Sequence, residues 1–403
     1  MKKRALILTV TVVMVMGIVF SAQASGILDY LNRSKDTVTI SKEEYDRLSR
    51  YAEMDTILQY IEYWYYQEPD VDALIENATR GLLYGLEDPY SFYYNEQEWT
   101  DLWADDEGEY AGIGLYLLGN YLDYTVTVTR VFKNTPAADA GIRKGDLLIR
   151  VEDIAVDAYS MQNAVNVMRG KVGEEVEVEV LRGSESLTFR IPRAIIHVNR
   201  IEECMLDDKV GYIALYEFAG ESQKEFAEAL ARLRAQGAQS LVVDLRDNGG
   251  GWVDAAVDIA DLFMDKQLLV YSQDRYGDRE DYKTKAGADD IPVTFLVNGN
   301  SASASEILSG GMQDAGRAKV VGTLTFGKGI IQTVIGLEND TRGFQMTYAQ
   351  YFLPSGTAVH KVGITPDVEV EMPEELASVY FELGDLTDPQ LKAAYDAALE
   401  ALR

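Results

Sequence analysis

Ser303 and Lys328 are the residues whose types and spacing most clearly predict chemistry. Ser303 lies in the run NSASASE at positions 300–306, and Lys328 lies between two glycines. A serine becomes a nucleophile only when a nearby base takes its proton, and a desolvated lysine can be that base. The chain has two histidines, His197 and His360, so a Ser-His-Asp triad has few possible bases. If this is a serine enzyme, lysine is the favoured base.

Ser303 also fits a purely structural role. Together with Glu306 it forms the pattern of a capping box, in which the serine begins a helix. Taken alone, the motif favours the cap, because capping boxes are common. A helix start is also where N–H groups and the helix dipole stabilise an oxyanion. The motif alone therefore leaves both roles open.

Lys328 has a second interpretation as well. Positions 322–328 (GTLTFGK) match a phosphate-binding loop until Gly329, where that loop requires Ser or Thr. Residues 330–335 are a β-type run rather than a helix, which disfavours nucleotide binding. A lysine between glycines indicates close packing and burial, and burial lowers a lysine pKa. An exposed lysine on a hairpin is the alternative. Gln332 would share a strand face with Lys328 and could orient its ammonium.

The N-terminus has the pattern of an export signal. Three basic residues precede an apolar run at 5–20 and then Ala22-Gln-Ala24, which predicts a signal peptide over residues 1–24. Cleavage is favoured, because 16 apolar residues are short for a bilayer span. An uncleaved anchor is the alternative, and it is the only membrane contact expected. Either way we expect an extracytoplasmic protein, secreted or held at the outer face of the membrane.

The charge of the chain excludes several kinds of partner. The net charge is −29, and removing the three basic residues of the signal makes it −32. Such a chain repels nucleic acid, so no nucleic-acid partner is expected. Nothing resembles a metal-ligand cluster, so we expect no metal and no cofactor.

Pattern changes divide the remaining chain into four regions. Residues 26–107 have helical periodicity, and 108–195 have short alternating β-type runs with glycine punctuation. Residues 196–372 alternate between buried strands and helices, which predicts an α/β fold with a parallel sheet. A helical segment, 373–403, follows. The aromatic residues at 60–66 are more than one short helix needs for its own core. Packing in the core of this chain is the default interpretation, and packing against another chain or domain is the alternative.

The two strand–turn–helix units of the α/β region place the chemistry at one sheet edge. Residues 241–245 lead into a turn with three glycines at 249–251, and residues 293–297 lead into the turn before Ser303. Sites in parallel sheets lie at the carboxyl ends of the strands. Both turns are therefore predicted to meet there.

Several motifs together resemble a known family, the carboxyl-terminal-processing (tail-specific) proteases, and in particular its exported, sporulation-type bacterial members. The motifs are LEDPYS at 86–91, YAGIGL at 110–115, DLRDNGGG at 244–251, NSASASEI at 300–307, QD and GRA at 313–318, TFGKG at 325–329, YFLPSG at 351–356 and GITPD at 363–367. Residues 108–195 resemble a PDZ domain throughout. The resemblance implies an α/β core of the ClpP/crotonase type with an inserted PDZ domain.

The resemblance also implies a role for each site residue. Ser303 would be the nucleophile and Lys328 the general base, with Gln332 orienting it. The oxyanion donors would be the N–H groups of Ala304 and Gly250, although this chain has Asn-Gly-Gly-Gly where the family usually has Asn-Pro-Gly-Gly. The PDZ loop that receives a peptide carboxylate would consist of the following residues: Gly112, Ile113, Gly114 and Leu115.

We therefore expect an exported serine endopeptidase that cleaves the C-terminal tails of protein substrates. The PDZ domain would bind the tail and gate the site. A homodimer is plausible, with the aromatic N-terminal helix and the C-terminal segment from Asp388 onward as candidate contacts. Two other classes remain: a non-catalytic PDZ scaffold, disfavoured by intact Ser303, Lys328 and Gln332, and a crotonase-type acyl-transfer or hydration enzyme, disfavoured by the PDZ insertion and the signal.

Overall fold

The computed structural model describes residues 39–119, 123–337, 340–376, 379 and 381–403. The chain divides into two compact units, Met1–Ala78 and Thr79–Arg403. The predicted signal, 1–24, lies outside the described residues. Among the helices that are described, none combines the length and apolarity needed to cross a membrane.

The first region is helical, as predicted. Ser41 caps the first helix by accepting a hydrogen bond from the Glu44 N–H at 3.0 Å. The expectation that the aromatics at 60–66 pack in a core is wrong, because Tyr63, Trp64 and Tyr66 are 83%, 73% and 81% exposed. The helices are α1 (Lys42–Leu48), α2 (Ala52–Trp64) and α3 (Val71–Tyr84).

A short strand and a helix lead into the PDZ region. The strand β1 (Phe92–Tyr94) was missed by the helical prediction for 26–107; it pairs with a strand far along the chain, which local periodicity cannot reveal. Helix α4 (Glu96–Glu107) follows. Strands β2 (Glu109–Gly112) and β9 (Ala194–His197) then pair with each other where the chain enters and leaves the PDZ region.

The PDZ region is an antiparallel sheet with two helices. Its order is β3-β4-β5-β7-β8, so β3 is an edge strand, and β6 pairs with β5. Alternate residues such as Val176, Val178 and Val180 are fully buried, as the strict alternation predicted. The elements are β3 (Leu115–Gly119), β4 (Val126–Val131), α5 (Pro136–Ala140), β5 (Leu147–Val151), β6 (Ile154–Ala155), α6 (Met161–Met168), β7 (Glu175–Arg182) and β8 (Glu185–Pro192).

The α/β region has a six-stranded sheet in the order β10-β11-β12-β15-β16-β19. All its pairs are parallel except β10 with β11, so the predicted parallel sheet is confirmed. Every residue of β12 is buried, because helices cover both faces of a parallel sheet. The elements are β10 (Ile201–Met205), β11 (Val210–Leu215), α7 (Ser222–Gln236), β12 (Ser240–Asp244), α8 (Val253–Asp261), β15 (Val293–Val297), α9 (Ala304–Asp314), β16 (Ala318–Gly322) and β19 (Val368–Glu369).

A second, antiparallel sheet lies beside the helical layer. Its order is β1-β18-β13-β14, and β17 also pairs with β18. Tyr351 on β18 is fully buried in the same apolar cluster as Ile307 of α9, so the sheet packs on the helix that begins at Ser303. The strands are β13 (Leu268–Asp274), β14 (Arg279–Lys283), β17 (Ile330–Leu337) and β18 (Arg342–Phe352).

The C-terminal helix α10 (Pro389–Glu400) covers the other face of the parallel sheet. Arg246, just after β12, binds Asp244 at 2.7 Å and Asp388, the N-cap of α10, at 2.6 Å. Removing one partner of such a buried ion pair costs about 3–5 kcal/mol. The C-terminal helix α10 is therefore part of the α/β core rather than a separate segment.

Candidate active site

Two loops meet at the carboxyl ends of β12 and β15, as the sequence predicted. The glycine turn, residues 247–251, follows β12, and the nucleophile loop, residues 298–303, follows β15. The carbonyl of Asn248 accepts hydrogen bonds from the Ala302 N–H at 3.0 Å and the Ser305 hydroxyl at 2.9 Å. Asn248 is fully buried. The two loops are thus bonded into one unit.

Ser303 is the N-cap of α9 in an unusual backbone conformation. Its φ is 56° and its ψ is −116°, a region that non-glycine residues rarely adopt. Its side chain is only 8% exposed, and its carbonyl accepts a hydrogen bond from the Tyr351 hydroxyl at 3.2 Å. Strained residues that the surrounding structure holds in place concentrate at functional sites. The residue is a helix cap, and the cap geometry itself presents the hydroxyl at the start of the helix.

Glu306 joins the serine and lysine segments directly. One carboxylate oxygen accepts from the N–H groups of both Ser303 and Lys328 at 2.9 Å. The other accepts from the Thr325 hydroxyl at 2.5 Å and the Gly327 N–H at 2.7 Å. Burial raises the pKa of Glu306, and these four hydrogen bonds oppose that shift. The residue that the sequence offered as a simple cap partner therefore brings Ser303 and Lys328 together.

The glycines beside Lys328 permit close backbone packing, as expected. A side chain at Gly329 would collide with the backbone of His360, and one at Gly327 would approach the Val362 and Gly363 nitrogens at 3.1 Å. Burial lowers the pKa of Lys328, although the carboxylates of Asp88 and Glu306 act in the opposite direction. A lowered pKa favours the neutral amine, and a neutral amine can accept a proton.

Asp88, Tyr90 and Ser91 complete the surroundings of Lys328, and sequence reasoning missed their roles. The Lys328 ammonium lies 4.5 Å from the centre of the Tyr90 ring. The Ser91 hydroxyl donates to Asp88 at 2.6 Å and accepts from the Thr347 N–H at 3.0 Å. The motif at 86–91 was the available signal, because it carried the family resemblance without any assigned chemistry.

Gln332 lies near this network but does not contact Lys328 by a hydrogen bond among the described atoms. Its amide nitrogen donates to the Thr347 hydroxyl at 3.1 Å. Lys328 lies two residues before β17 begins, so it is not itself a strand residue. Within β17 the alternation holds, because Ile330 and Gln332 are both half-buried and the register shift falls at Tyr348 of β18. Orientation of Lys328 by Gln332 stays a prediction.

The two predicted oxyanion donors flank Ser303. Ala304 supplies the first N–H of α9, a position without an intrahelical acceptor. Gly250, with φ 105°, packs so closely that an added Cβ would lie 2.7 Å from the Ser303 Cβ. Its N–H donates to the Asn248 side chain at 2.9 Å. Gly250 must therefore share or exchange that hydrogen bond if it is to bind an oxyanion.

A cleft of about 430 Å³ includes Trp252, the residue that follows the glycine turn in sequence. Trp252 and Val253 line one side, and Ile331, Gln332 and Tyr348 are also part of its wall. Its size and mixed polar and apolar lining suit a peptide side chain.

The PDZ loop Gly112–Leu115 leads into the edge strand β3. The carbonyls of Ile113 and Gly114 accept hydrogen bonds from Ala137 and Phe132. Among the described residues, no acceptor pairs with the N–H of Ile113 or Gly114. Free N–H groups beside a strand edge are what a terminal peptide carboxylate requires.

Comparisons with known proteins agree with this architecture. Residues 209–370 match peptidase family S41, residues 110–192 match the PDZ domain, and residues 13–98 match the activating protease CtpB N-terminal domain. The chain is 32% identical to a carboxyl-terminal-processing protease of Synechocystis sp., over 92% of this chain and 90% of that protein. It is 33% identical to a carboxy-terminal-processing protease of Bartonella bacilliformis, over 84% and 78%.

A solved structure extends the similarity to three dimensions. The photosystem II D1 C-terminal processing protease aligns with a TM-score of 0.62 and 29% identity, over 89% of this chain and 99% of that one. The predicted combination of an α/β core, a PDZ domain and a helical N-terminal part is confirmed.

The lowered pKa of Lys328 leads to a pH prediction. If Lys328 is the base for Ser303, labelling of Ser303 by a fluorophosphonate should accelerate as the pH rises through that pKa, because only a neutral amine can accept the serine proton. The midpoint should lie below about 10.4, the ordinary lysine value. Asp88→Asn should move it to lower pH, since the Asp88 carboxylate raises the Lys328 pKa. Stopped-time labelling across pH measures this; Asp281→Asn, at an exposed ion pair, is the control. An unchanged midpoint in Asp88→Asn would contradict the assignment.

Proposed function

The chain belongs to the carboxyl-terminal-processing proteases of peptidase family S41 and is a serine-type peptidase, and we propose that Ser303 and Lys328 carry its reaction on the C-terminal tails of proteins. The observation that supports this pair most strongly is the Glu306 oxygen that binds both backbone N–H groups at 2.9 Å. A shared anchor holds nucleophile and base segments in one fixed relation, as catalysis by proximity requires.

The reaction proceeds by acyl transfer. The Ser303 Oγ attacks the scissile carbonyl while the Lys328 Nζ takes its proton. The N–H groups of Ala304 and Gly250 stabilise the tetrahedral oxyanion, once Gly250 exchanges its bond to Asn248. Lys328 then returns the proton to the leaving amine, and water, deprotonated by Lys328, hydrolyses the acyl-enzyme. No cofactor takes part in these steps.

Substitution of the nucleophile or base tests this mechanism. Ser303→Ala and Lys328→Met should each reduce cleavage of an unfolded reporter polypeptide on the order of 10⁴-fold or more. Lys319→Met, which replaces a half-exposed lysine elsewhere on the core, is the matched control. Circular dichroism checks that each variant is folded. Cleavage that survives both site substitutions would sink the mechanism; folded wild-type protein that binds tails without cutting them would instead indicate a PDZ scaffold.

The PDZ groove is proposed to capture the substrate tail. Two features support this: β3 is an edge strand, and the loop Gly112–Leu115 leads into it. Met161 also lies close to β3, since its sulfur would be 3.5 Å from a Cβ added to Gly119 at the end of that strand. A tail that adds to β3 as a further strand would place alternate side chains against the apolar surface around Met161. The same domain is proposed to gate the active site through its position.

A charge placed in the groove tests tail capture. Met161→Asp should raise the KM for a reporter that ends in three apolar residues by about tenfold, because an apolar pocket would then hold a charge. Gln162→Asp, on the exposed side of the same helix, should leave KM unchanged. Steady-state kinetics on reporters with apolar and acidic tails provides the measurement. Equal KM values for Met161→Asp and wild type would remove the groove from tail recognition.

A homodimer is proposed through the N-terminal helices. Tyr63, Trp64 and Tyr66 expose large aromatic surfaces, and such surfaces mark interaction sites. The C-terminal segment, the other candidate contact, packs its apolar face on the chain's own sheet. Trp64→Ser with Tyr66→Ser should halve the mass seen in sedimentation, whereas Tyr276→Ser, equally exposed elsewhere, should not. A monomeric wild type would contradict this.

Export remains a proposal that rests on the sequence of residues 1–24, with a cleaved signal favoured over an anchor. Fractionation of cells that make the full chain tests it. Recovery of the full chain, signal intact, in the cytosol would contradict export.

A further inference from the structure

Asp247 connects the glycine turn to the nucleophile loop through its side chain. One carboxylate oxygen accepts hydrogen bonds from the side-chain amides of Asn298 and Asn300, both at 2.9 Å. The Asp247 N–H in turn donates to the Asn298 amide oxygen at 3.0 Å. Two donors on one loop therefore converge on a single carboxylate of the other loop. Asp247 lies three residues before Gly250, and Asn300 lies three residues before Ser303.

The backbone of Asp247 shows that these bonds hold it in place. Its φ is 60°, in the left-handed region, which costs a non-glycine residue free energy unless local hydrogen bonds compensate. Asparagine and aspartate tolerate this region best because their short side chains bond locally. The conformation turns the chain from β12 into Asn248 and Gly250.

The second carboxylate oxygen of Asp247 faces a residue of the PDZ domain. The Lys144 ammonium lies 3.4 Å from it. Burial raises the pKa of Asp247, but the charge of Lys144 and the two asparagine amides together bring that pKa below its ordinary value. Lys144 is thus the cationic partner of a largely buried carboxylate at the edge of the site.

The loop that carries Lys144 is fixed to the body of the PDZ domain. Asp146, two residues on, is 1% exposed and accepts two hydrogen bonds at 2.7 Å from the Arg182 guanidinium on β7. The Gly145 N–H donates to the Val128 carbonyl of β4 at 2.8 Å. Lys144 therefore moves with the PDZ domain as a whole.

We propose that Asp247 is a positioning residue for the oxyanion turn and the nucleophile loop, and that Lys144 makes its position depend on the placement of the PDZ domain. This inference rests on the proposed function and deepens it, because it names the contact by which the PDZ domain acts on the catalytic loops. When the PDZ domain is docked, Lys144 neutralises Asp247, and the two loops keep their spacing around Ser303.

A second PDZ–core ion pair among the described residues supplies a matched control. Lys133 binds Glu202 of β10 at 3.1 Å and is 59% exposed, against 47% for Lys144. The Glu202 carboxylate also accepts a hydrogen bond from the Tyr216 hydroxyl at 3.2 Å, and Tyr216 lies outside both the glycine turn and the nucleophile loop. Loss of Lys133 therefore weakens domain docking by a similar amount without acting on Asp247.

Kinetics of the full chain on the apolar-tailed reporter tests the proposal. Lys144→Met should lower kcat about fivefold with little change in KM, the size expected for a half-exposed ion pair. Lys144→Arg should restore kcat, and Lys133→Met should leave it near wild type. A higher salt concentration should reduce the difference in kcat between wild type and Lys144→Met, because salt screens the ion pair. Equal kcat values for the two methionine variants, or a rise in kcat for Lys144→Met, would overturn the proposal.

Hydrogen exchange tests the positioning without relying on cleavage. In a Ser303→Ala background, Lys144→Met should raise amide exchange at Gly250 and Ala302 several-fold, whereas Lys133→Met should not. Unchanged exchange would refute the positioning role even if the enzyme cleaves normally. Raised exchange in a chain that shows no Ser303-dependent cleavage would instead refute only the proposed function.

Discussion

A buried carboxylate between two backbone segments is the constraint on which this site depends. Glu306 is fully buried, and an unpaired charge there would be very costly. Four donors from Ser303, Thr325, Gly327 and Lys328 remove that cost. Because the donors come from the start of a helix and from the approach to a different sheet, satisfying the carboxylate also fixes the distance between those two elements. The requirement that buried charge be paired thereby becomes a requirement on catalytic geometry.

The rest of the architecture brings parts from separate layers to this point. Ser303 and the glycine turn follow adjacent strands of the parallel sheet, β15 and β12. The antiparallel sheet delivers Lys328 just before β17 and the Tyr351 hydroxyl that holds the Ser303 carbonyl. The apolar contact between Tyr351 and helix α9 is what places one sheet over the other. Catalytic geometry is here a product of layer packing.

The parts predicted from sequence are those whose signals are local. Strand–turn–helix patterns predicted the parallel sheet and the meeting of the two turns, and flanking glycines predicted the packing around Lys328. The roles of Asp88 and Tyr90 were not predictable this way, since they reach Lys328 only through β1 pairing with β18, about 250 positions away. Orientation of Lys328 by Gln332 stays a prediction, because Lys328 lies outside β17 and the Gln332 amide donates to Thr347. The capping box at Ser303 was read correctly, yet its partner Glu306 was assigned too small a role.

The Tyr351 hydroxyl has a consequence for the synthesis of this chain. The residues around Ser303 and Lys328 extend from Asp88 to Tyr351, so a ribosome must release most of the polypeptide before Ser303 acquires its supporting contacts. A nascent chain therefore lacks the assembled site for most of its translation. The site therefore depends on contacts of high sequence separation, and a high contact order slows folding.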